Sequence, residues 1–347
     1  MKKFLQKILG FVLIPLFIIV ALEIGTYIWG HHMFKENSLD NVFHNESAQY
    51  SWINTIGQDS IVVLAGSSSV RYDLSCKELN TLSSNQFKFV NIAMDARDPI
   101  ATYFIIKNMN LKKVSAIYFG LDPWIYTKRY YMNRNMYMYL DFNFGDILLF
   151  SKEHDKSALI KRYKSLATFM FSSIFSNKKK SNNVASEVPI DYGSVALDRH
   201  AVNFDSPVNN WFQIDKYGWS DLQFIYLKKL MDLCVSKNVK FGVFIPPKRS
   251  DYSYIYQNDC KFIHNEFVSK LMFYGITAPI FGQFDQFDSI GDSIYFADAY
   301  HLNREGQKKY SELFYNMMQN DKTKLTHKYD WFSKNNKART HNKGYMQ

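Results

Sequence analysis

The sequence predicts an α/β protein: three layers, α/β/α, around a central parallel sheet of about five strands, preceded by one N-terminal transmembrane helix. Three observations carry this. Short runs rich in β-branched and aromatic residues recur and end at Gly or Pro, as strands buried on both faces do. Helical patterns fall between these runs, so strand and helix alternate along the chain. The first 30 residues join a lysine-rich start to a long apolar stretch.

Lys2, Lys3 and Lys7 precede an apolar run over 8–22, which resumes over 24–29. A helix over 8–29 would be about 33 Å long at ~1.5 Å per residue, enough to cross a bilayer core. Glu23 then sits near the outer interface, where a carboxylate costs less than at the centre. Tyr27 and Trp29 suit that interface as aromatic anchors. The lysines hold the N-terminal end in the cytoplasm, so everything after about residue 30 is extracytoplasmic. A cleaved signal peptide is the alternative, but no small-x-small cleavage site follows the apolar run. Residues 31–58 are polar and mixed and read as a stalk.

The domain proper is expected over 59–320. Its strands are 60–66 (SIVVLAG), 87–93 (FKFVNIA), 114–120 (VSAIYFG) and 239–245 (VKFGVFI), the last stopped by Pro246 and Pro247. Residues 275–280 (GITAPI) read as a short fifth strand. Helical spacing covers 98–109, 221–238, 259–274 and 305–318. Residues 128–218 break the rhythm with tyrosine-rich stretches and a Lys/Ser/Asn patch at 176–183. They read as an insertion between the third and fourth strands, placed to overhang the sheet's carboxyl edge as a lid or substrate platform. Residues 321–347 read as a basic, disordered tail.

Composition narrows the function classes. The net charge is +10, and much of the excess lies around Lys178–Lys180 and after Asp321. Neither cluster interleaves with aromatics on a nucleic-acid-binding fold, so nucleic acid is not the expected partner; a membrane surface or an anionic wall polymer is. Aromatic residues reach 17%, which serves either core filling or a sugar-stacking surface. Cys76, Cys234 and Cys260 form no C-x-x-C pair, so no zinc or redox site is expected. They allow one disulfide plus a free thiol, or three free thiols. No metal or nucleotide motif is visible and no cofactor is expected.

Two segments carry chemistry. Gly66-Ser67-Ser68-Ser69 ends the first strand and leads into a helix. A serine there is exposed at the sheet's carboxyl edge, near N–H groups able to hold an oxyanion, although serines also simply cap helices. Asp298 and His301 lie three residues apart, before the last helix. On a tight turn both can face one pocket, Asp orienting the imidazole and His acting as general base toward a serine. The plainer reading is an N-cap aspartate and a surface histidine.

Together the segments resemble the SGNH or GDSL hydrolase superfamily, over residues 60–125 and 220–318. That resemblance makes Ser68 the nucleophile, with Ser67 where the family has Asp and Ser69 as a neighbouring hydroxyl. Asp298, His301 and Gly306 match the family's D-x-x-H-x-x-x-x-G-like block. In the family a Gly after the second strand and an Asn after the third supply oxyanion donors. Ala93 and Asp122 stand there in this sequence. Ala93 still offers a backbone N–H, but an ionised Asp122 only accepts and would repel an oxyanion. Either the pKa of Asp122 is raised, or it binds something else, or the donor comes from elsewhere; Arg71 or Arg249 could compensate, though the sequence does not place them.

The N-terminal anchor, the serine-rich first block, Leu121-Asp122-Pro123 and the Asp-x-x-His are similar to the branch of D-alanine transfer proteins and periplasmic polysaccharide O-acetyltransferases. The likeness implies a membrane-anchored, extracytoplasmic serine acyltransferase acting on a surface polysaccharide or wall polymer. It also implies a multi-spanning membrane acyltransferase as partner. An esterase or deacetylase of the same polymers, and a non-catalytic assembly scaffold, are the alternatives.

Overall fold

The computed structural model describes residues 47–57 apart from 48, 60–128, 188–198, 218–249, 261–282, 287 and 294–320 apart from 299, with parts of 9–24 and 144–164. A five-stranded sheet organises the domain. Its strands are β1 (Ile61–Ala65), β2 (Lys88–Asn91), β3 (Val114–Gly120), β4 (Lys240–Phe244) and β5 (Ile280–Phe281). Every neighbouring pair is parallel, in the order β2-β1-β3-β4-β5. The chain steps from β1 to β2 on one side and then to β3 on the other. The carboxyl ends of β1 and β3 therefore flank a topological switch point, where open parallel sheets leave a crevice.

The apolar runs follow from burial on both faces. Ile61, Val63 and Ala65 of β1 join one core cluster, while Val62 and Leu64 join the other. The first cluster also takes residues from helix α3 (Pro99–Asn108), α5 (Asp221–Ser236) and α6 (Lys261–Phe273). The second takes residues from α1 (Ser68–Asp73), α2 (Cys76–Leu82) and α7 (Arg304–Asn320). Three layers result, because a sheet with two apolar faces must be covered on both. Asp98 starts α3 by accepting from the Ala101 N–H at 2.8 Å, with Pro99 behind it. Strand β5 is shorter than expected. Pro279 has no N–H to give the ladder; its carbonyl accepts from Val243 N–H, and regular pairing starts at Ile280.

The stalk is a correction: it does not run to 58. Ser51–Thr55 form a 3-10 turn that buries Trp52 and Ile53 at 2% exposure each, within the same cluster as Ile56. Ser47 and Tyr50 donate to the carbonyls of Ile105 and Ile92, both at 3.1 Å. These apolar side chains cover the sheet's first layer, so the domain includes residues from 47 on. Residues 31–46 lie outside the described residues.

The transmembrane helix is not established. The described residues between 9 and 24 are helical, with Phe11 81% and Phe17 74% exposed. Among the described residues no helix is long and apolar enough to cross a membrane. Lys2, Lys3, Lys7, Glu23, Tyr27 and Trp29 lie outside them.

Of the insertion at 128–218, two parts are described at length. Helix α4 (Phe144–Glu153) packs beside α5, where the Tyr226 hydroxyl donates to Asp146 at 3.0 Å. Residues 188–198 cross the free edge of β2, the Asn91 N–H donating to Tyr192 O at 2.8 Å. They continue past α1, Val195 N–H donating to Arg71 O and Arg304 N–H to Leu197 O, both at 3.0 Å. The two ends of the insertion are tied together by Lys128 N–H to Gly218 O at 2.9 Å and a Thr127–Trp219 bridge. The patch at 176–183 and the tail at 321–347 lie outside the described residues. So does Cys260, while Cys76 and Cys234 are buried free thiols.

Candidate active site

The serine segment is shaped by Gly66. Its φ is +140°, and a Cβ there would come within 2.7 Å of Val70 Cγ2 and 3.2 Å of Gly120 O. Only glycine lets the chain turn this tightly from β1 into α1. The three hydroxyls that follow take three different partners. Ser67 Oγ donates to Asp122 Oδ2. Ser68 Oγ lies 2.9 Å from His301 Nε2. Ser69 Oγ accepts from Lys248 Nζ at 2.6 Å. Of the three rivals, Ser68 alone meets the imidazole.

The other half is one turn built by Asp298. Its Oδ1 accepts the N–H groups of Tyr300 and His301 at 3.0 and 2.9 Å, and its Oδ2 contacts His301 Nδ1 at 2.9 Å. The three-residue spacing works because one carboxylate closes the turn and holds the ring at once. Burial pushes the Asp298 carboxyl up, but the hydrogen bond and charge of His301 and the two backbone N–H groups outweigh it and hold it at about 2. Tyr72 and Tyr300 pack edge-on against the imidazole, with centroids at 5.2 and 5.3 Å. Gly306 is needed for space alone, since a Cβ there would collide with Tyr295 O. Asn303 accepts the Gly306 N–H at 3.0 Å and starts α7 behind the turn.

Ser68, Ser69 and His301 open onto a cleft of about 320 Å³, walled by Tyr72, Trp124, Leu197 and Tyr300, with Asp95 as its exposed carboxylate. A cleft of this size suits a small ligand or one sugar ring. Leu197 brings the insertion into the site.

The expected auxiliary residues need correction. The Ala93 N–H is already taken by Asn91 Oδ1 at 2.9 Å, so it is not an open oxyanion donor. Arg71 pairs with Asp95 at 3.4 Å and lies over the Tyr72 ring at 5.6 Å; it is not among the cleft-lining residues. Asp122 is buried and is paired with Lys248 Nζ at 3.1 Å. Burial pushes its carboxyl up, but the Lys248 charge and the Ser67 and Ser69 hydroxyls outweigh that and hold it below the usual range. It is ionised, compensated and committed to Ser67 and Lys248.

Sequence reasoning missed Lys248. Its ammonium reaches Ser69, Asp122 and, at 3.4 Å, Tyr300 O, so one buried cation ties both halves of the site. The available signal was a lysine directly past Pro246-Pro247, at the carboxyl end of a central strand. Asp73 was missed as well. It ends α1 and accepts the Leu302 N–H at 2.8 Å. Burial pushes its carboxyl well up, and Lys248 and that N–H offset only part of this.

The chain matches no protein-family model and no curated protein. Its chemistry is therefore argued from the site. A serine hydroxyl, an imidazole and an ionised carboxylate in hydrogen-bonded line can move the serine proton onto His301 as Ser68 Oγ attacks a carbonyl, Asp298 stabilising the imidazolium. Among the described residues no group of His, Cys, Asp and Glu is arranged to hold a metal.

Proposed function

We propose that the protein is a serine acyltransferase of SGNH type, held at the outer face of the cytoplasmic membrane, that transfers an O-acyl group such as acetyl onto a surface polysaccharide or wall polymer. The observation that carries this is the line Ser68 Oγ, His301 Nε2, His301 Nδ1, Asp298 Oδ2, with 2.9 Å at each hydrogen bond. In the first half-reaction Ser68 attacks the donor's acyl carbon, its proton passes to His301, and the donor's leaving group departs with that proton. In the second, His301 takes the proton of a polymer hydroxyl, which attacks acyl-Ser68 and frees the serine. The aromatic wall of Tyr72, Trp124 and Tyr300 favours a sugar over water as acceptor, since ring faces bury apolar sugar surface. The exposed apolar helical residues at 9–24 support the anchor. A single helix cannot carry an acyl donor across a bilayer, so a multi-spanning acyltransferase is the partner this reading requires.

The test uses the full chain in detergent and in cells. A fluorophosphonate labels Ser68, and Ser68→Ala abolishes both labelling and hydrolysis of a nitrophenyl acetate. Deleting the gene lowers acylation of the surface polymer. Higher acylation in the deletion would instead mean an esterase. Failure to label any serine would leave a scaffold.

A further inference from the structure

We propose that Ser69 is the side-chain oxyanion donor of this site, and that Lys248 is the residue that polarises it. The inference rests on the serine-transfer reading. Ser69 lines the cleft next to Ser68 and accepts a hydrogen bond from Lys248 Nζ at 2.6 Å. An ammonium only donates, so it draws electron density from the Ser69 oxygen and strengthens that hydroxyl as a donor. In the proposed step the Ser69 O–H turns about Cβ–Oγ toward an oxyanion bound in the cleft that Ser69 lines, while Asp122 keeps Ser67 and Lys248. The expected backbone donor at Ala93 is occupied, and Asp122 cannot donate while ionised. Ser69 thus fills the role that the third-strand position leaves open.

No atom is gained or lost at Ser69. Ser68 Oγ bonds to the acyl carbon, its proton goes to His301 Nε2, and the carbonyl π pair becomes an oxyanion that accepts from Ser69 O–H. When the oxyanion collapses, the leaving group departs with the His301 proton and Ser69 turns back. Lys248 is a positioning residue: it acts through Ser69.

The experiment measures nitrophenyl acetate hydrolysis by the full chain. Ser69→Ala should lower kcat about 100-fold or more, with KM within about twofold, while Ser69→Thr, which keeps the hydroxyl, should recover at least tenfold. Lys248 is tested in the paired variant Lys248→Met/Asp122→Leu, which removes both charges together. Adding Ser69→Ala to that pair should cost at least tenfold less than it costs in the parent. A Ser69→Ala enzyme within threefold of the parent kcat overturns the proposal. Multiplicative losses overturn the Lys248 part. A parent that neither hydrolyses ester nor takes the fluorophosphonate overturns the serine-transfer reading itself, and the inference with it.

Discussion

The Leu302 N–H donates to Asp73 Oδ1 at 2.8 Å, tying the end of the serine-bearing helix to the residue after His301. Ser68 and Asp73 share the short helix α1, and His301 and Leu302 share the turn. The bond therefore sets the distance between Ser68 and His301 from a point outside both. Lys248 adds a second tie, from Ser69 to Tyr300 O. The proposed acyl transfer would need its reacting groups held within fractions of an ångström, and these two cross-links between the halves restrain them.

Replacing Asp298 by Asn should cost 10²- to 10⁴-fold in kcat, with little change in KM, because an amide nitrogen cannot accept from Nδ1–H and the ring loses its oriented tautomer (on the order of the effect known for such triads). The carboxyl is held at about 2, so it stays ionised through the working range. Steady-state rates of parent and variant between pH 4 and 8 check this.

Removing Lys248 alone strands the Asp122 carboxylate in the core. Lys248→Met should destabilise by about 3–5 kcal/mol, and Lys248→Met/Asp122→Leu should recover most of this, as buried pairs replaced together usually do. Urea unfolding measures it. The Asp122 carboxyl sits below its ordinary value, so its share of stability is present above the unfolded-state value and fades as pH falls through the folded one. The double variant should lose that part of the acid dependence.

Asp98 titrates in the opposite sense. Burial pushes its carboxyl up to about 6 against hydrogen bonds from Ala101 and Gln223, so its contribution is full below about 4 and is lost as pH rises through about 6. Asp98→Asn keeps an acceptor for the cap, and its N–H bonds Gln223 Oε1, a buried oxygen with no hydrogen-bond partner, once the Gln223 amide that now donates through Nε2 turns over. Between pH 4 and 7 the stability difference should move roughly 3 kcal/mol toward the variant. Thermal melts across that range decide it.

The sheet was legible because strands buried on both faces need continuous apolar runs: all five strands end within about two residues of where those runs stop, and only β5 starts well inside its run. Asp298 and His301 were legible because their contact is made within one turn. Ser68 was expected through the family resemblance, with Ser67 and Ser69 as close rivals; the three-dimensional partners separate it from them. Lys248 was not legible: a lysine after two prolines reads as a strand stop, and its role arises from Asp122 and Ser69, far away in sequence. Ala93 misled because the Asn91 side chain, two residues back, claims its N–H. Trp52 and Ile53 were passed over because a single turn of apolar residues carries no period to detect.

Ser68 and His301 are 233 positions apart, and α7 closes behind the turn that carries the histidine. During synthesis, then, the serine emerges long before its base. A ribosome stalled anywhere in the long interval between them would display Ser68 without the imidazole it meets in the folded chain. On the serine-transfer reading, the site is therefore assembled only when nearly all of the chain has been made, so the order of the polypeptide itself sets when Ser68 first meets its partner.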